Sequence, residues 1–153
     1  MSIAGKHFAV IGAGIVGSAL ALWLNNQGGR VSIYERRNAK AFLTKPTIQK
    51  RNINLALSYR GLKCLNLLGL KENVMPLCCP MYGRKIYPLV DGSPLFQPYG
   101  LPDQAIYSIS RFDLNHILHR RLDKAKSIEM HYEKALDAED NNLIQQLEAQ
   151  FDG

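Results

Sequence analysis

Residues 7–24, HFAVIGAGIVGSALALWL, set three glycines, Gly12, Gly14 and Gly17, between a β-branched, aromatic run and a run with helical spacing. The first run is short, apolar and halted by glycine, which is the pattern of a buried parallel strand. Behind the glycines, Val16, Ala19, Leu20, Trp23 and Leu24 recur at i, i+3, i+4, i+7 and i+8, one face of a helix, and Gly28-Gly29 supplies its stop. The next run, RVSIYE at 30–35, is β-rich again and ends on Glu35. Strand, helix and strand within 35 residues make a βαβ unit.

In such a unit each glycine has its own duty. The first permits the tight strand-to-helix turn, the second lets a pyrophosphate approach bare backbone, and the third lets helix and strand touch. The helix N-terminus then presents free N–H groups and about half a positive charge to the phosphates. Gly12, Gly14 and Gly17 fill these places in order, and Glu35 stands 35 − 12 = 23 residues beyond Gly12, near the spacing expected of a ribose-binding acid. A carboxylate there accepts hydrogen bonds from a ribose diol and repels a 2′-phosphate. The fingerprint therefore predicts FAD or NAD rather than NADP on a Rossmann-like βαβ unit.

Outward from this unit, residues 36–52 are basic and lack periodicity, which suggests an exposed or cofactor-covering loop. LSYRGLKCLNLLGL at 57–70 is helical, with Leu62, Leu65 and Leu68 on one side and Gly69 near its end, and KENVMPL adds a short helical turn. From Met81 to Arg111 the character is β. Asp91-Gly92 marks a hairpin, and Pro88 and Pro98 push its strands toward a sheet edge. Ser110 with Asp113 forms a capping-box pattern ahead of the helical stripe Leu114, Ile117, Leu118 and Leu122. SIEMHYEKAL reads as a strand, DAEDNN as a turn, and LIQQLEAQFDG as a strand or a short helix.

The bulk numbers narrow the function classes. A chain of 153 residues with 46% apolar content matches one ordinary soluble domain. The net charge of +6 is scattered in pairs such as Arg36-Arg37 and Arg120-Arg121, with no basic tract interleaved by aromatics, so a nucleic-acid partner is not expected. Cys64, Cys78 and Cys79 have neither C-x-x-C spacing nor an even count, which points to reduced structural thiols in the cytoplasm. The N-terminal residues lack a signal-peptide pattern, and the glycines break up the longest apolar run, so neither export nor membrane contact by this segment is expected. His7, His116, His119 and His131 are scattered. His116 and His119 share a helical face, but no third ligand is identifiable, and packing or surface histidines are favoured over a metal site.

RNINLALSYRG at 51–61, PMYGRKIY at 80–87, PYG at 98–100 and SISRFDLN at 108–115 carry a further signal. Over residues 7–136 the chain resembles the kynurenine 3-monooxygenase family of FAD-dependent aromatic hydroxylases. That resemblance, not composition or periodicity, implies FAD as cofactor and NADPH as co-substrate. It also implies hydroxylation of kynurenine to 3-hydroxykynurenine with O2, a step of tryptophan degradation. The fold it implies is an α/β, Rossmann-like βαβ FAD-binding domain of the flavoprotein hydroxylase type. A β-hairpin is inserted, and residues 80–111 contribute β structure toward the substrate site. Because the family's later Gly-Asp motif is not in these residues, residues 1–153 are expected to be an N-terminal part of the FAD-binding domain.

Carried over residue by residue, the resemblance implies a cofactor set of Gly12, Gly14, Ile15, Gly17, Glu35, Arg36, Ala56, Arg111 and Leu136. For substrate it implies Arg84 and Tyr99, a guanidinium suited to gripping an α-amino-acid carboxylate through two parallel hydrogen bonds and a hydroxyl adding a third. Tyr82 stands where many members have another arginine. No acid–base dyad and no metal are expected, since the flavin carries the oxygen chemistry. Two other readings stay open on the glycines alone, a non-catalytic nucleotide-binding module and an NAD-dependent dehydrogenase. Against the latter, a basic loop, a helix and a hairpin intervene before the third strand of the sheet.

Overall fold

The structure is a computed structural model that describes residues 2–44, 53–89, 92–135, 145, 147 and 149–151. The opening βαβ unit forms as its pattern predicts. Strand β1 (His7–Ile11) leads into helix α1 (Ile15–Asn26), and β2 (Arg30–Glu35) returns parallel to β1, pairing His7 with Arg30 through Ile11 with Tyr34. Gly28 ends α1 with φ +85°, a left-handed conformation open to glycine, and Gly29 N–H closes onto the Leu24 carbonyl at 3.0 Å.

The basic segment is not all loop: α2 (Lys40–Leu43) buries Phe42 to 1% exposure. After it come β3 (Asn54–Leu57), α3 (Tyr59–Leu67), α4 (Lys71–Val74) and a 3-10 turn at Met75–Leu77. The β region then supplies β4 (Cys79–Met81), β5 (Gly83–Ile86), β6 (Leu95–Pro98) and β7 (Ile106–Ser110), followed by α5 (Arg111–Leu122) and β8 (Ile128–Tyr132). Of the stretch read as a strand or a short helix, the described residues Gln145, Leu147, Ala149 and Gln150 are helical. The DAEDNN turn and Asp91 lie outside the described residues.

These strands make three sheets, a parallel one in the order β1-β2-β8, an antiparallel one in the order β3-β7-β4, and the two-stranded ribbon β5-β6. In the parallel sheet β8 adds to β2 from Val31↔Ile128 to Glu35↔Tyr132. The third parallel strand thus comes only after the inserted helices and hairpin, the arrangement that argued against a simple NAD domain.

α1 corrects the sequence reading in one respect. Val16, Leu20 and Trp23, taken from the stripe, are 81%, 46% and 41% exposed, whereas Ser18, Ala21, Leu22 and Leu24 are buried. The helix is apolar nearly all round, so its periodicity fits more than one face. The deciding contact is at Gly17, where an added Cβ would overlap the Gly12 carbonyl oxygen. That close approach puts Gly17, Ala21 and Leu24, at i, i+4 and i+7, against the sheet. α5 packs beside α1, and Leu114, Leu118 and Leu122 join Val31, Ile33, Phe42 and Ile109 in the core.

Candidate functional site

The turn from β1 into α1 is held from three sides. Gly12 takes φ +90°, which favours glycine, and its N–H donates to the Tyr34 carbonyl at 2.8 Å. Ala13, fully buried, donates its N–H to Glu35 Oε2 at 2.8 Å. Its carbonyl accepts from His119 Nε2 at 2.8 Å and from the Ser18 hydroxyl at 3.1 Å. Beyond this pinned peptide lies Gly14, where an added Cβ would meet no protein atom within 4 Å. Packing explains Gly17 but not Gly14; the space beside Gly14 is free for something else.

That space belongs to a cavity of about 340 Å³ lined by Gly12, Gly14, Glu35, Arg36, Arg37 and Arg111, with Lys134 and neighbouring residues. Four basic residues and one acidic residue therefore line this cavity. The nearby helix N-terminus adds first-turn N–H groups that have no partner within the helix. The donor set suits a diphosphate. A larger cavity, about 590 Å³ between residues 69–77 and α5, contains none of these residues.

Glu35 is 2% exposed. Its Oε1 accepts from Arg37 N–H and Nε, both at 2.8 Å, and its Oε2 accepts from Arg37 Nη2 at 3.1 Å as well as from Ala13. Burial alone would raise its pKa. The hydrogen bonds from the Arg37 side chain and backbone and from Ala13, with the Arg37 charge, outweigh that and hold it at about 2. Arg37 also lies 4.3 Å over the Phe42 ring, and Phe42 stacks on His119 with centroids 3.7 Å apart. His119 is fully buried, and burial lowers its pKa below 6.5 despite the Ala13 bond and the charges of Asp123 and Glu35. Because a carbonyl only accepts, Nε2 carries the proton, and Nδ1 faces the Tyr132 hydroxyl at 3.5 Å.

The cavity thus gathers five of the expected cofactor residues, Gly12, Gly14, Glu35, Arg36 and Arg111. Ile15 turns its side chain toward the core and has only backbone to offer, and Gly17 serves the helix–strand contact. Ala56 sits on β3 opposite Ser108 rather than in the cavity wall, and Leu136 lies outside the described residues. Arg111 begins α5, with its N–H on the Ile53 carbonyl at 3.0 Å. Sequence reasoning missed Arg37, Phe42 and His119. The adjacent Arg36-Arg37 pair was the one available signal; nothing local marks His119, which meets Ala13 across 106 residues.

Arg84 lies on β5, and Tyr99 follows directly after β6. Arg84 lies opposite Gln97 and donates through Nε to Gln97 Oε1 at 2.8 Å, while Tyr99 N–H bonds the Tyr82 carbonyl at 2.9 Å. That register puts Tyr82, Arg84, Gln97 and Tyr99 on one face of the ribbon. Arg84 and Tyr99 are exposed. Among the described residues no cluster of three metal-ligating side chains occurs, and no helix is long and apolar enough to cross a membrane.

Comparison with known proteins adds to this geometry. No protein-family model matches the chain. It is 38% identical over 132 residues to kynurenine 3-monooxygenase of Drosophila melanogaster, covering 86% of this chain and 28% of that one. It is 41% identical over 113 residues to kynurenine 3-monooxygenase of Stenotrophomonas maltophilia (strain K279a), covering 73% of this chain and 24% of that one. The chain is a relative of the kynurenine 3-monooxygenases. It spans only about three-tenths of the length of the kynurenine 3-monooxygenases it matches. Among solved structures, p-nitrophenol 4-monooxygenase PnpA of Pseudomonas putida DLL-E4 superposes with a TM-score of 0.64 at 17% identity, over 87% of this chain and 33% of that one. The 2-methyl-3-hydroxypyridine-5-carboxylic acid oxygenase in its tetrameric form gives 0.65 at 16%, over 84% and 31%. The fold is the α/β fold found in these two oxygenases, of which this chain covers about a third.

Proposed function

We propose that this chain supplies the dinucleotide corner, and β structure facing the substrate, of an FAD-dependent monooxygenase that hydroxylates kynurenine to 3-hydroxykynurenine with NADPH and O2. The observation that carries the proposal is the open space at Gly14, backed by a cationic cavity with Glu35 on its wall. The flavin, when bound, supplies the redox and oxygen-transfer chemistry. The chain's own residues bind and orient. The Gly14 and Ile15 N–H groups and the α1 N-terminus receive the diphosphate, with Arg36 and Arg111 as charge partners. Gly17 keeps α1 close enough for this.

Glu35 is assigned to the adenosine ribose. All four of its lone-pair sites are engaged by Ala13 and Arg37, so a ribose hydroxyl is accepted only by displacing one of the Arg37 bonds. Ala56 and Leu136 are assigned to the flavin lining on the family resemblance. On the ribbon, Arg84 is oriented by Gln97, and with Tyr99 on the same face it is assigned to the kynurenine carboxylate. We place the segment in the cytoplasm, where the free thiols Cys64, Cys78 and Cys79 stay reduced, without nucleic-acid or membrane partners.

A chimera tests the reading, with residues 1–153 replacing the matching segment of the Drosophila melanogaster enzyme. It is expected to bind FAD and to oxidise NADPH faster when kynurenine is added. Arg84→Met should raise the kynurenine KM about tenfold or more with flavin still bound, the loss of a charge-assisted bidentate contact. Flavin loss in that variant with unchanged KM would reassign Arg84. Nucleotide binding without flavin colour or NADPH oxidation would point to a non-catalytic module.

A further inference from the structure

We propose that His119 is a positioning residue for the nucleotide corner, fixing the Ala13–Gly14 peptide plane so that Gly14 N–H points at the diphosphate. The inference rests on reading that corner as the diphosphate site. A trans peptide is planar, and its C=O and N–H point in opposite directions. The Ala13 carbonyl is drawn into the core by His119 Nε2 at 2.8 Å and Ser18 Oγ at 3.1 Å. The N–H of the same peptide belongs to Gly14, so it is turned outward, and Gly14 lines the cavity.

The holder is itself held. His119 is fully buried, its ring is sandwiched onto Phe42 with an interplanar angle of 16°, and Nδ1 faces Tyr132, so the imidazole has little freedom to swing away from Ala13. Ala13 N–H is in turn pinned by Glu35, which Arg37 grips, and Arg37 lies 4.3 Å over the ring of the same Phe42. Two groups distant in sequence, one on α5 and one on β2, therefore clamp a single residue of the glycine corner. Only the β2 clamp belongs to the βαβ unit itself.

The experiment separates donor from shape. Gln places an N–H where His carries Nε2–H, Leu fills volume without a donor, and Phe keeps the stack on Phe42 without a donor. FAD is titrated against the chimera by flavin fluorescence at pH 8, with melting temperature measured in parallel. His119→Leu and His119→Phe are expected to weaken FAD binding about five- to tenfold, of the order of one hydrogen bond, while His119→Gln stays within about twofold of the parent. Wild-type affinity in a folded Leu or Phe variant, or equal weakening in the Gln variant, overturns the proposal. If neither apolar variant folds, Ser18→Ala decides, since it removes the second donor to the same carbonyl. Weakened FAD binding at an unchanged melting temperature supports the clamp, and unchanged affinity overturns it. Failure of the unsubstituted chimera with the Drosophila melanogaster enzyme to bind FAD would remove the nucleotide reading itself, a result that no His119 variant is needed to see.

Discussion

Gly14 and Gly17 belong to one motif but answer to different constraints. At Gly17 the obstacle to a side chain is backbone, the Gly12 carbonyl, so Gly17→Ala is expected to destabilise the fold by about 2–3 kcal/mol, read by denaturant melts. Gly14→Ala meets no protein atom and should cost less than about 1 kcal/mol as a helix cap, yet lose tenfold or more in FAD affinity. Equal stability losses in the two variants would contradict the division. Glu35 and His119 set a pH dependence whose sign follows from their shifts. For Glu35 the folded pKa of about 2 lies below the ordinary 4.5, so its contribution is full above about pH 4.5 and lost as pH falls toward 2. His119, neutral when folded, takes up its proton more readily unfolded, so its contribution is full above pH 6.5 and declines as pH falls below it. The melting temperature should therefore drop in two stages on acidification. Glu35→Gln should remove the lower one and cost about 1–3 kcal/mol at neutral pH.

Among the elements, those built from local pattern were legible. β1, α1, β2 and α5 follow from strand runs, glycine stops and helical spacing, and the antiparallel pairing of β5 with β6 from the strand-like runs that flank Asp91-Gly92. β3 escaped because four residues, NLAL, are too few to show alternation, and α2 because a single apolar residue, Phe42, holds it to the core. The buried face of α1 was underdetermined by periodicity and fixed by Gly17. His119 was legible only as a packing or surface histidine, since its bond to Ala13 joins segments 106 residues apart, and nothing in the Arg36-Arg37 pair says which of the two grips Glu35. The ribbon β5-β6 is the element with least support, a two-stranded sheet whose residues are almost all exposed. Its amides are expected to exchange with solvent at least tenfold faster than those of β1 and β2. Equal protection would mean that the ribbon is packed rather than free to move.

On the scale of the molecule, the chain spans about three-tenths of its relatives, and Val16, Leu20 and Trp23 present an apolar face of α1 to solvent. Leu20→Arg should leave the melting temperature within a degree or two, because the site is exposed, while lowering concentration-dependent association seen by light scattering. A fall of more than about 5 °C would place Leu20 in the core instead.

The strand order β1-β2-β8 also has a kinetic meaning. Val31 pairs with Ile128 and Ala13 with His119, so both the sheet and the glycine turn are completed by partners about a hundred residues downstream. Closing so long a loop delays the reward of the contact, and refolding should be limited by this long-range closure, in milliseconds to seconds rather than microseconds. The βαβ turn can take shape early, but the peptide that would greet a phosphate is locked only at the end of that search.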